Sequence, residues 1–402
     1  MRRVAITGAG TINALGHDVP STLAAMREGV CGIGSLDIRD VERLSIRIGA
    51  QVRDHDESTR FGRQQAALYD RFTQFALIAA EEAVATSGLC FEGELGLQAG
   101  VILGNSGGGL GTIDDSYRAV YEEGRSRVHP FVVPRLMGNA ASSAVSMAHG
   151  LRGPTFTVAS ACASSNHAMG LAFQMVRSGM ADVMLAGGSE AMLCFGGLKA
   201  WEGLRVMSPD ACRPFSATRS GMVQGEGAAV FVFEDWDRAA ARGAEILAEV
   251  AGFGMTADAR DIVLPSVEGA ERAMRLALAD AGLDADQVGY VNAHGTGTAA
   301  NDRTECEAIA GAFGNHAGRL MVSSTKAMHG HVIGGTGAIE LLACLSALRD
   351  GVVPPTIGYE APDPDCPLDV VPNAARQARI SACLSNAFAF GGLNAVLALR
   401  AA

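Results

Sequence analysis

Short β-branched or apolar runs alternate with helical stretches along almost the whole chain, and this alternation restricts the folds it can adopt. Runs such as VAITGAG, AGVILGNS and TFTVA suit single buried strands, whereas DRFTQFALIAAEEAVATSGL and GAERAMRLALADAGL suit helices. Strands that interleave with helices predict an α/β fold with mixed, largely buried sheets. The pattern breaks near residue 245 and then resumes, so we predict two halves, residues 1–245 and 246–402.

Length, charge and cysteine usage exclude several classes of protein. The chain has 402 residues, more than one ordinary hydrophobic core accommodates. Its net charge of −11 argues against nucleic-acid binding, which needs a basic surface. No apolar run is long enough to span a membrane, and the run in MRRVAITGAG is too short for a secretory signal. Nine cysteines without CxxC spacing predict free thiols and a reducing, cytoplasmic location.

The segment TGAGTINALG partly matches a dinucleotide-binding fingerprint after the first predicted strand. Asn13 replaces the third glycine of the fingerprint, and no acidic residue closes a short βαβ unit at the expected distance. We therefore interpret these glycines as a turn beneath a helix.

Cys162 lies in TFTVASACASSNHAMG, where a predicted strand gives way to a predicted helix. A thiol at a helix N-terminus experiences the positive end of the helix dipole, which is expected to lower its pKa from about 8.5. The small neighbours Ala161, Ala163 and Ser164 leave the backbone accessible, as a nucleophile requires. The alternative is a small buried core residue, which is the default interpretation of a cysteine.

Two later motifs contain histidines. In NAHGTGT, His294 follows the predicted strand VGYVNA, and Thr296 and Thr298 offer hydroxyl groups to an amide-bearing substrate chain. In SSTKAMHGHVIGGTGAIE, a loop that leads into a helix contains Lys326, His329 and His331.

The segment NAFAFGGLN ends the last strands with Phe388, Phe390 and the glycine pair Gly391-Gly392. A flexible aromatic turn of this kind suits the gate of a cavity.

Each of these motifs also has a structural explanation, since a lone histidine is usually a hydrogen-bonded polar residue and a Gly-Gly pair is usually only a turn. The order Cys, His, Lys, His, Gly-Gly is more specific than any one of its members.

Thiol and imidazole groups also suit zinc, and the candidate ligands are Cys162, His294, His329 and His331. Only His329 and His331 are close together in the sequence, so zinc is the less favoured interpretation.

Four segments together resemble one enzyme family over nearly the whole chain. ACASSNHAMG, NAHGTGTAANDRTE, STKAMHGHVIGGTGAIE and LSNAFAFGGLN are similar to the active-site motifs of the β-ketoacyl-[acyl-carrier-protein] synthases of the I/II class. DIVLPSVEG, KAMHGH and EGLRVMSPDACRPFS are similar to the nodulation protein E branch of that family. The resemblance implies the thiolase fold, a five-layered αβαβα arrangement of two similar halves, usually in a homodimer. The first half would carry the nucleophilic cysteine and the second the histidine and lysine motifs.

The resemblance also implies the catalytic residues. The family's nucleophile falls on Cys162, its histidine pair on His294 and His331, and its lysine on Lys326. Phe390 falls on the gating phenylalanine, whose backbone N–H forms an oxyanion hole together with that of Cys162. The resemblance implies that no cofactor is required. In some members a structural Na⁺ or K⁺ is bound, and its ligands would be Asn292, Glu340, Ser385 and Asn386.

The implied reaction is a decarboxylative condensation catalysed by an acyltransferase. An acyl group passes from acyl carrier protein to Cys162, and malonyl-acyl carrier protein then condenses with it to give a 3-oxoacyl carrier and CO2. Such a reaction belongs to the biosynthesis of fatty acids or a related acyl chain. Two alternatives remain: a non-catalytic partner subunit that sets chain length, and a cysteine hydrolase or thioesterase. The former class lacks the nucleophile that Cys162 would provide.

The resemblance further indicates an acyl pocket. Gly108 stands where a bulky apolar residue often closes its far end, and we expect this glycine to open the pocket toward a dimer interface. Trp201, Phe388 and Gly391 complete the predicted lining. Ala67-Leu68 replaces a basic pair that often contacts the carrier protein. Arg63, Arg125, Arg127 and Arg205 are candidates for compensating carrier contacts, whereas for any single one of them a solvated surface charge is the favoured interpretation.

Overall fold

Ten of the fourteen strands in the described part of the chain form one sheet, which consists of two halves with the same strand order. The computed structural model describes residues 1–402, except for the side chains of Glu57 and Ser58. The strands are β1 (Val4–Asn13), β2 (Gly34–Ser35), β3 (Ile48–Gly49), β4 (Ala99–Gly104), β5 (Thr155–Val158), β6 (Val183–Glu190), β7 (Gly227–Asp235), β8 (Ala248–Ala257), β9 (Tyr290–Asn292), β10 (Met321–Ser323), β11 (Val352–Val353), β12 (Arg376–Gln377), β13 (Ala382–Ala389) and β14 (Leu393–Arg400).

The first half of the sheet has the order β1-β7-β6-β4-β5, and the second has the order β8-β14-β13-β9-β10. In each half the first two pairings are antiparallel and the last two are parallel. The halves meet where β1 pairs with β8, with Val4 opposite Val250. The predicted division between residues 245 and 246 falls just before β8.

Helices cover both faces of each half-sheet. They are α1 (Val19–Glu28), α2 (Glu57–Ala66), α3 (Arg71–Ser87), α4 (Glu94–Gln98), α5 (Leu110–Tyr121), α6 (Val132–Leu136), α7 (Ala140–His149), α8 (Ser164–Ser178), α9 (Phe195–Leu204), α10 (Trp236–Ala241), α11 (Val267–Ala281), α12 (Ala299–Phe313), α13 (Lys326–His329) and α14 (Thr336–Arg349). Short 3-10 turns occupy Val41–Arg43, Ala285–Gln287, Gly314–Arg319 and Ile333–Gly335.

These helices and sheets stack as five layers. Helices α3 and α7 cover the outer face of the first half-sheet, and α11 covers that of the second, with α12 packed against it. Helices α8 and α14 contact strands of both halves and therefore lie between them. The thirteen residues from Thr336 to Leu348 of α14 are all buried, as a helix between two half-sheets requires. The αβαβα arrangement of the thiolase fold is confirmed.

The strand ends bring distant motifs to one region of the molecule. The carboxyl ends of β5, β9, β10 and β13 lead respectively to the segments that begin with Ala159, Ala293, Ser324 and Phe390. Within each half, parallel neighbours direct these ends to the same edge of the sheet, where ligand sites of α/β folds commonly lie. Among the described residues, no helix is both long and apolar enough to cross a membrane.

Candidate active site

A strained turn presents Cys162 between β5 and α8. Ala161 has a φ of 48°, a left-handed conformation that costs a residue with a side chain roughly 1–2 kcal/mol. The Ser164 hydroxyl stabilises the turn, since it accepts a hydrogen bond from the Ser160 N–H (2.9 Å) and donates one to the Ala161 carbonyl (2.7 Å). The strain therefore serves to project the thiol at the start of the helix.

The fold brings Cys162, His294 and His331 together from three separate segments. The sulfur and one nitrogen of each imidazole lie within 4.8 Å of one another. The centroids of the two imidazole rings are 5.5 Å apart, and the ring planes are nearly perpendicular. All three residues line one cavity of about 100 Å³, together with Trp201, Val206, Met222, Val263, Leu264, Pro265, Thr296, Thr298, Ala300, Asn301, Phe388, Ala389 and Phe390.

Hydrogen bonds fix the tautomer of His331. Its Nδ1 accepts a hydrogen bond from the Ile333 N–H (3.0 Å) and also lies 3.0 Å from the Thr336 hydroxyl. A neutral imidazole that accepts at Nδ1 carries its proton on Nε2. The buried Nε2 has no hydrogen-bond partner among the described residues. The Nε2–H of His331 is therefore an unpaired hydrogen-bond donor.

Carboxylates on α12 hold the backbone of the His294 loop. Glu305 accepts hydrogen bonds from the N–H groups of His294 (2.8 Å) and Gly295 (2.7 Å). One turn earlier, Asp302 accepts from the Gly297 N–H (3.2 Å). The position of the His294 ring thus depends on two acids that the motif search did not single out, although both lie in the quoted segment NAHGTGTAANDRTE.

Lys326 lies beneath the cavity rather than in its lining. Its ammonium group is fully buried, pairs with Glu340 and donates a hydrogen bond to the carbonyl of His294. Burial raises the pKa of Glu340 to about 7, against the opposing effect of the Lys326 charge. Burial first, and the Lys326 charge second, hold the pKa of both His294 and His331 well below its usual value. Both imidazoles are therefore neutral at pH 7.

The expected lowering of the Cys162 pKa is wrong in direction. Burial raises the pKa of this thiol to about 12, because a thiolate loses its hydration in the closed site. The Lys326 charge and the backbone N–H groups of Phe390 and Cys162 lower that pKa, but by less. The resting thiol is therefore protonated. The two N–H groups nevertheless lie close enough to the sulfur to affect its pKa, as the implied oxyanion hole requires.

Aromatic residues line the same cavity as the sulfur. Phe390 stacks on Trp201, with ring centroids 6.0 Å apart and planes 26° apart, and Phe388 lies 6.1 Å from the His294 ring. The hydroxyls of Thr296 and Thr298, 2.9 Å apart, share the cavity. Gly391 lies outside the lining, but its φ of 80° shapes the turn after Phe390, and its N–H donates to the Ile262 carbonyl.

Gly108 does not line this cavity. It borders a separate surface depression of about 540 Å³ together with Leu136 and Phe156. Its φ is 59°, and an added Cβ would lie 2.5 Å from the Leu136 carbonyl oxygen. Backbone geometry is therefore a sufficient reason for glycine here.

Of the four residues proposed as zinc ligands, Cys162, His294 and His331 converge, and only His329 separates from them. His329 lies outside the cluster, since its Nδ1 lies 2.8 Å from the Gly330 carbonyl and its Nε2 lies 2.9 Å from the Thr325 hydroxyl. His331 directs a protonated nitrogen, and not a lone pair, toward the cavity. This donor set suits an oxyanion better than a metal ion.

The predicted cation ligands share an unusual feature. Each has a buried oxygen without a hydrogen-bond partner among the described residues, namely Asn292 Oδ1, Glu340 Oε2, Ser385 Oγ and Asn386 Oδ1. Asn292 and Ser385 lie directly opposite each other on β9 and β13. Unpaired buried oxygens are costly, and carboxylate and carbonyl oxygens suit hard cations. These residues therefore fit a small monovalent cation.

The four arginines expected to contact a carrier are exposed on the surface. Arg125 already pairs with Glu123 at 2.8 Å. Arg63, Arg127 and Arg205 form no ion pair within the part of the chain that the structure describes.

Comparison with known proteins agrees with the geometry. The model of the β-ketoacyl synthase N-terminal domain matches residues 1–239, and that of the C-terminal domain matches residues 247–360. Nodulation protein E of Rhizobium sp. (strain N33) is 50% identical, and the match covers 99% of each chain. The 3-oxoacyl-[acyl-carrier-protein] synthase 2 of Synechocystis sp. (strain ATCC 27184 / PCC 6803 / Kazusa) is 39% identical over 99% of this chain and 98% of its own.

A solved structure has the same architecture. The ketosynthase AntDE, in complex with the type II PKS acyl-carrier protein AntF, superposes with a TM-score of 0.90 at 29% identity, and the match covers 100% of both chains. The matches to the family models extend over both halves, and the cysteine and the histidines converge on one cavity. The chain therefore belongs to the β-ketoacyl synthase family and is a condensing enzyme of the acyltransferase class.

Proposed function

We propose that Cys162 is the acyl-carrying nucleophile and that His294 and His331 stabilise the enolate of the malonyl substrate. The observation that carries this proposal is the convergence of one sulfur and two neutral imidazoles within 4.8 Å. The backbone N–H groups of Cys162 and Phe390 support the proposal because both act to lower the pKa of the same sulfur.

In the first half-reaction, Cys162 attacks the thioester carbonyl of an acyl carrier protein. The C–S bond to the enzyme forms, and the negative charge moves to the carbonyl oxygen. The N–H groups of Cys162 and Phe390 stabilise that oxygen, an effect of about 2.7–4 kcal/mol for one donor in a comparable site. The bond to the carrier sulfur then breaks. The proton of the Cys162 thiol leaves with the carrier thiol, so no net acid or base is consumed.

In the second half-reaction, the bond between the malonyl carboxylate and its CH2 group breaks. CO2 leaves, and the electron pair remains as an enolate whose charge lies on the thioester oxygen. The Nε2–H of His331 is a suitable donor to that oxygen, and a neutral His294 supplies a second. Because neither imidazole is cationic, neither readily transfers a proton that would destroy the nucleophilic carbon.

The enolate carbon then attacks the acyl group on Cys162. The new C–C bond forms, the tetrahedral oxyanion again occupies the two N–H groups, and the C–S bond to Cys162 breaks. The product is a 3-oxoacyl carrier, and the released thiolate takes up one proton. Lys326 stabilises both anionic stages through its charge while its hydrogen bond holds the His294 backbone.

We propose that the reaction itself needs no cofactor and that Na⁺ or K⁺ has a structural role. The cation would be held by Asn292, Glu340, Ser385 and Asn386. It would neutralise the free oxygen of Glu340 and thereby preserve the support beneath Lys326.

We propose acyl carrier protein as the partner that delivers both substrates. The AntDE structure contains an acyl-carrier protein, which supports a carrier for this chain as well. The exposed Val263 and Leu264 border the cavity that contains Cys162, so a carrier bound there could insert its acyl arm. Arg205 adjoins the cavity residue Val206 and offers positive charge to an acidic partner.

We also propose a homodimer formed through the edge strand β5. Among the described residues, β4 is the only neighbour of this strand in the sheet, and unpaired edges are normally protected. This strand and the segment that spans the successive helices α5, α6 and α7, which contact it or one another, expose large apolar side chains: Tyr117, Tyr121, Val133, Met137, Met147 and Phe156. A second copy would cover the depression beside Gly108. This glycine would then lie next to a dimer interface, as the resemblance implies. Sedimentation of the purified chain would distinguish dimer from monomer.

We further propose a cytoplasmic location, which is supported by free thiols at all nine cysteines. A reducing compartment would keep Cys162 available for catalysis.

Mass spectrometry of the intact protein tests the central proposal. Incubation with acyl carriers of increasing chain length should add one acyl group to the wild-type chain and none to Cys162→Ala. Subsequent malonyl carrier should remove the group as a 3-oxoacyl carrier. Release of the group as free acid alone would instead indicate a hydrolase, and full condensation by Cys162→Ala would refute the assigned nucleophile.

A further inference from the structure

Glu190 is a buried carboxylate at the end of β6, directly behind the active site. Its side chain is fully buried, and it forms no ion pair among the described residues. It lies close enough to Cys162 for its charge to raise the thiol pKa. Burial of an uncompensated carboxylate costs several kcal/mol unless other groups solvate it, so its hydrogen-bond partners are informative.

Four N–H donors from two loops solvate Glu190. Its Oε1 accepts from the Asn105 side chain (3.0 Å) and the Gly107 backbone (3.1 Å). Its Oε2 accepts from the backbone of Ser106 (2.7 Å) and Gly334 (3.2 Å). The first loop leads to Gly108, and the second follows His331. Glu190 therefore joins the two loops through one side chain.

The second loop contains a strained residue. Ile333 has a φ of 45°, a conformation that is rare for a β-branched residue and must be stabilised by its surroundings. In this conformation its N–H donates to Nδ1 of His331. The next N–H along the chain, that of Gly334, donates to Glu190. The backbone of His331 itself is fixed separately, by hydrogen bonds with Val223 and Gly225.

We infer that Glu190 is a positioning residue that keeps Ile333 in its strained conformation and so keeps the proton of His331 on Nε2. Without the bond to Gly334, Ile333 can relax and withdraw its N–H from Nδ1. The imidazole is then free to adopt the other tautomer, with its proton directed at Thr336 and a lone pair directed at the cavity. A lone pair repels the enolate oxygen that the Nε2–H would stabilise. This inference rests on the proposed role of His331.

The close packing around Gly334 supplies a second way to disturb the link. A Cβ at this position would lie 2.7 Å from both Glu190 Oε2 and the Ser106 nitrogen. Gly334→Ala therefore separates the two loops while it leaves the carboxylate in place. Glu190→Gln acts differently, because its NH2 group opposes two N–H donors whichever way the amide is oriented.

Nitrogen NMR of ¹⁵N-histidine-labelled protein tests the inference without turnover. The signals of His331 are assigned by their loss in His331→Gln. In the wild type we expect one protonated and one unprotonated nitrogen. In Glu190→Gln and Gly334→Ala we expect averaged shifts from a mixture of tautomers, and a kcat for condensation that falls with the fraction of Nε2–H lost.

Glu234→Gln is the matched control, since Glu234 is a fully buried carboxylate of the adjacent strand β7 that pairs with Arg242 opposite the other end of β6. It should leave the His331 signals unchanged. If Glu190→Gln does not fold, Gly334→Ala decides the outcome. A folded Glu190→Gln or Gly334→Ala variant that retains the single Nε2–H tautomer would overturn the inference. It would do so independently of the Cys162→Ala experiment, which tests the proposed function.

Discussion

Lys326 donates a hydrogen bond to the carbonyl oxygen of His294, so the only lysine in the motif acts on the loop backbone from below the cavity. The same ammonium group pairs with Glu340 in a fully buried ion pair. The charge that assists Cys162 is thus anchored on both sides.

We predict that Lys326→Met destabilises the fold strongly. Removal of one partner of a buried ion pair leaves the other charge uncompensated, a loss of about 3–5 kcal/mol in the free energy of unfolding. Urea unfolding measures this loss. The double variant Lys326→Met, Glu340→Gln should lose less, because no buried charge remains. Equal losses in the two variants would mean that the ion pair is not the source of the stability.

We predict that alkylation of Cys162 accelerates with pH and reaches no plateau near neutrality. Because burial raises the pKa of the thiol to about 12, the reactive thiolate is scarce at pH 7 and increases roughly tenfold for each pH unit below that pKa. Iodoacetamide labelling between about pH 7 and about pH 9, followed by peptide mass spectrometry, measures the rate. Exposed Cys90 reports the activity of the reagent in the same sample. A plateau below about pH 8 would show that the resting enzyme holds a thiolate.

We predict that Trp201→Ala makes the acyl-enzyme leak. Phe390 stacks on Trp201 in the cavity lining, and such aromatic pairs contribute about 0.5–1.5 kcal/mol. Loss of the pair should increase hydrolysis of acyl-Cys162 by roughly twofold to tenfold, measured as free acid released from isolated acyl-enzyme. Trp201→Phe retains an aromatic plane and should leak less. Equal leakage from both variants would show that the stack does not limit access of water.

We predict that the thermal stability of the protein depends on the monovalent cation present. Replacement of K⁺ and Na⁺ by tetramethylammonium at constant ionic strength should lower Tm, because the larger ion cannot replace the small one among the oxygens of Asn292, Glu340, Ser385 and Asn386. A site saturated at about 100 times its Kd contributes about 2.7 kcal/mol. Ser385→Ala should reduce the response. An unchanged Tm in every salt would remove the cation from the proposal.

Sequence patterns predicted the fold and the converging motifs because both depend on local regularities. Strand and helix alternation is a repeated local signal, and Cys162, His294 and Lys326 each come just after a strand end. Parallel strands direct their ends to one edge, so the grouping of these residues follows from the strand pattern. The resemblance to the family supplied the pairing of the two histidines.

Properties that depend on burial or on backbone strain could not be predicted from the sequence. The pKa of Cys162 depends on how completely the cavity excludes water, and the helix terminus alone gave the wrong direction. The resemblance places Gly108 at the far end of an acyl pocket, whereas its positive φ and the nearby Leu136 carbonyl govern that position. The importance of Glu190 and Ile333 depends on hydrogen bonds between loops that are far apart in the sequence.

The division of the site between the two halves has a consequence for how activity arises. The thiol emerges from the first half, while both imidazoles and the ammonium group emerge from the second. During synthesis from the N-terminus, the first half is made while its chemical counterparts are still missing. With the roles proposed for these residues, condensation requires that the second half has docked, and reactivity is acquired only upon completion of the fold.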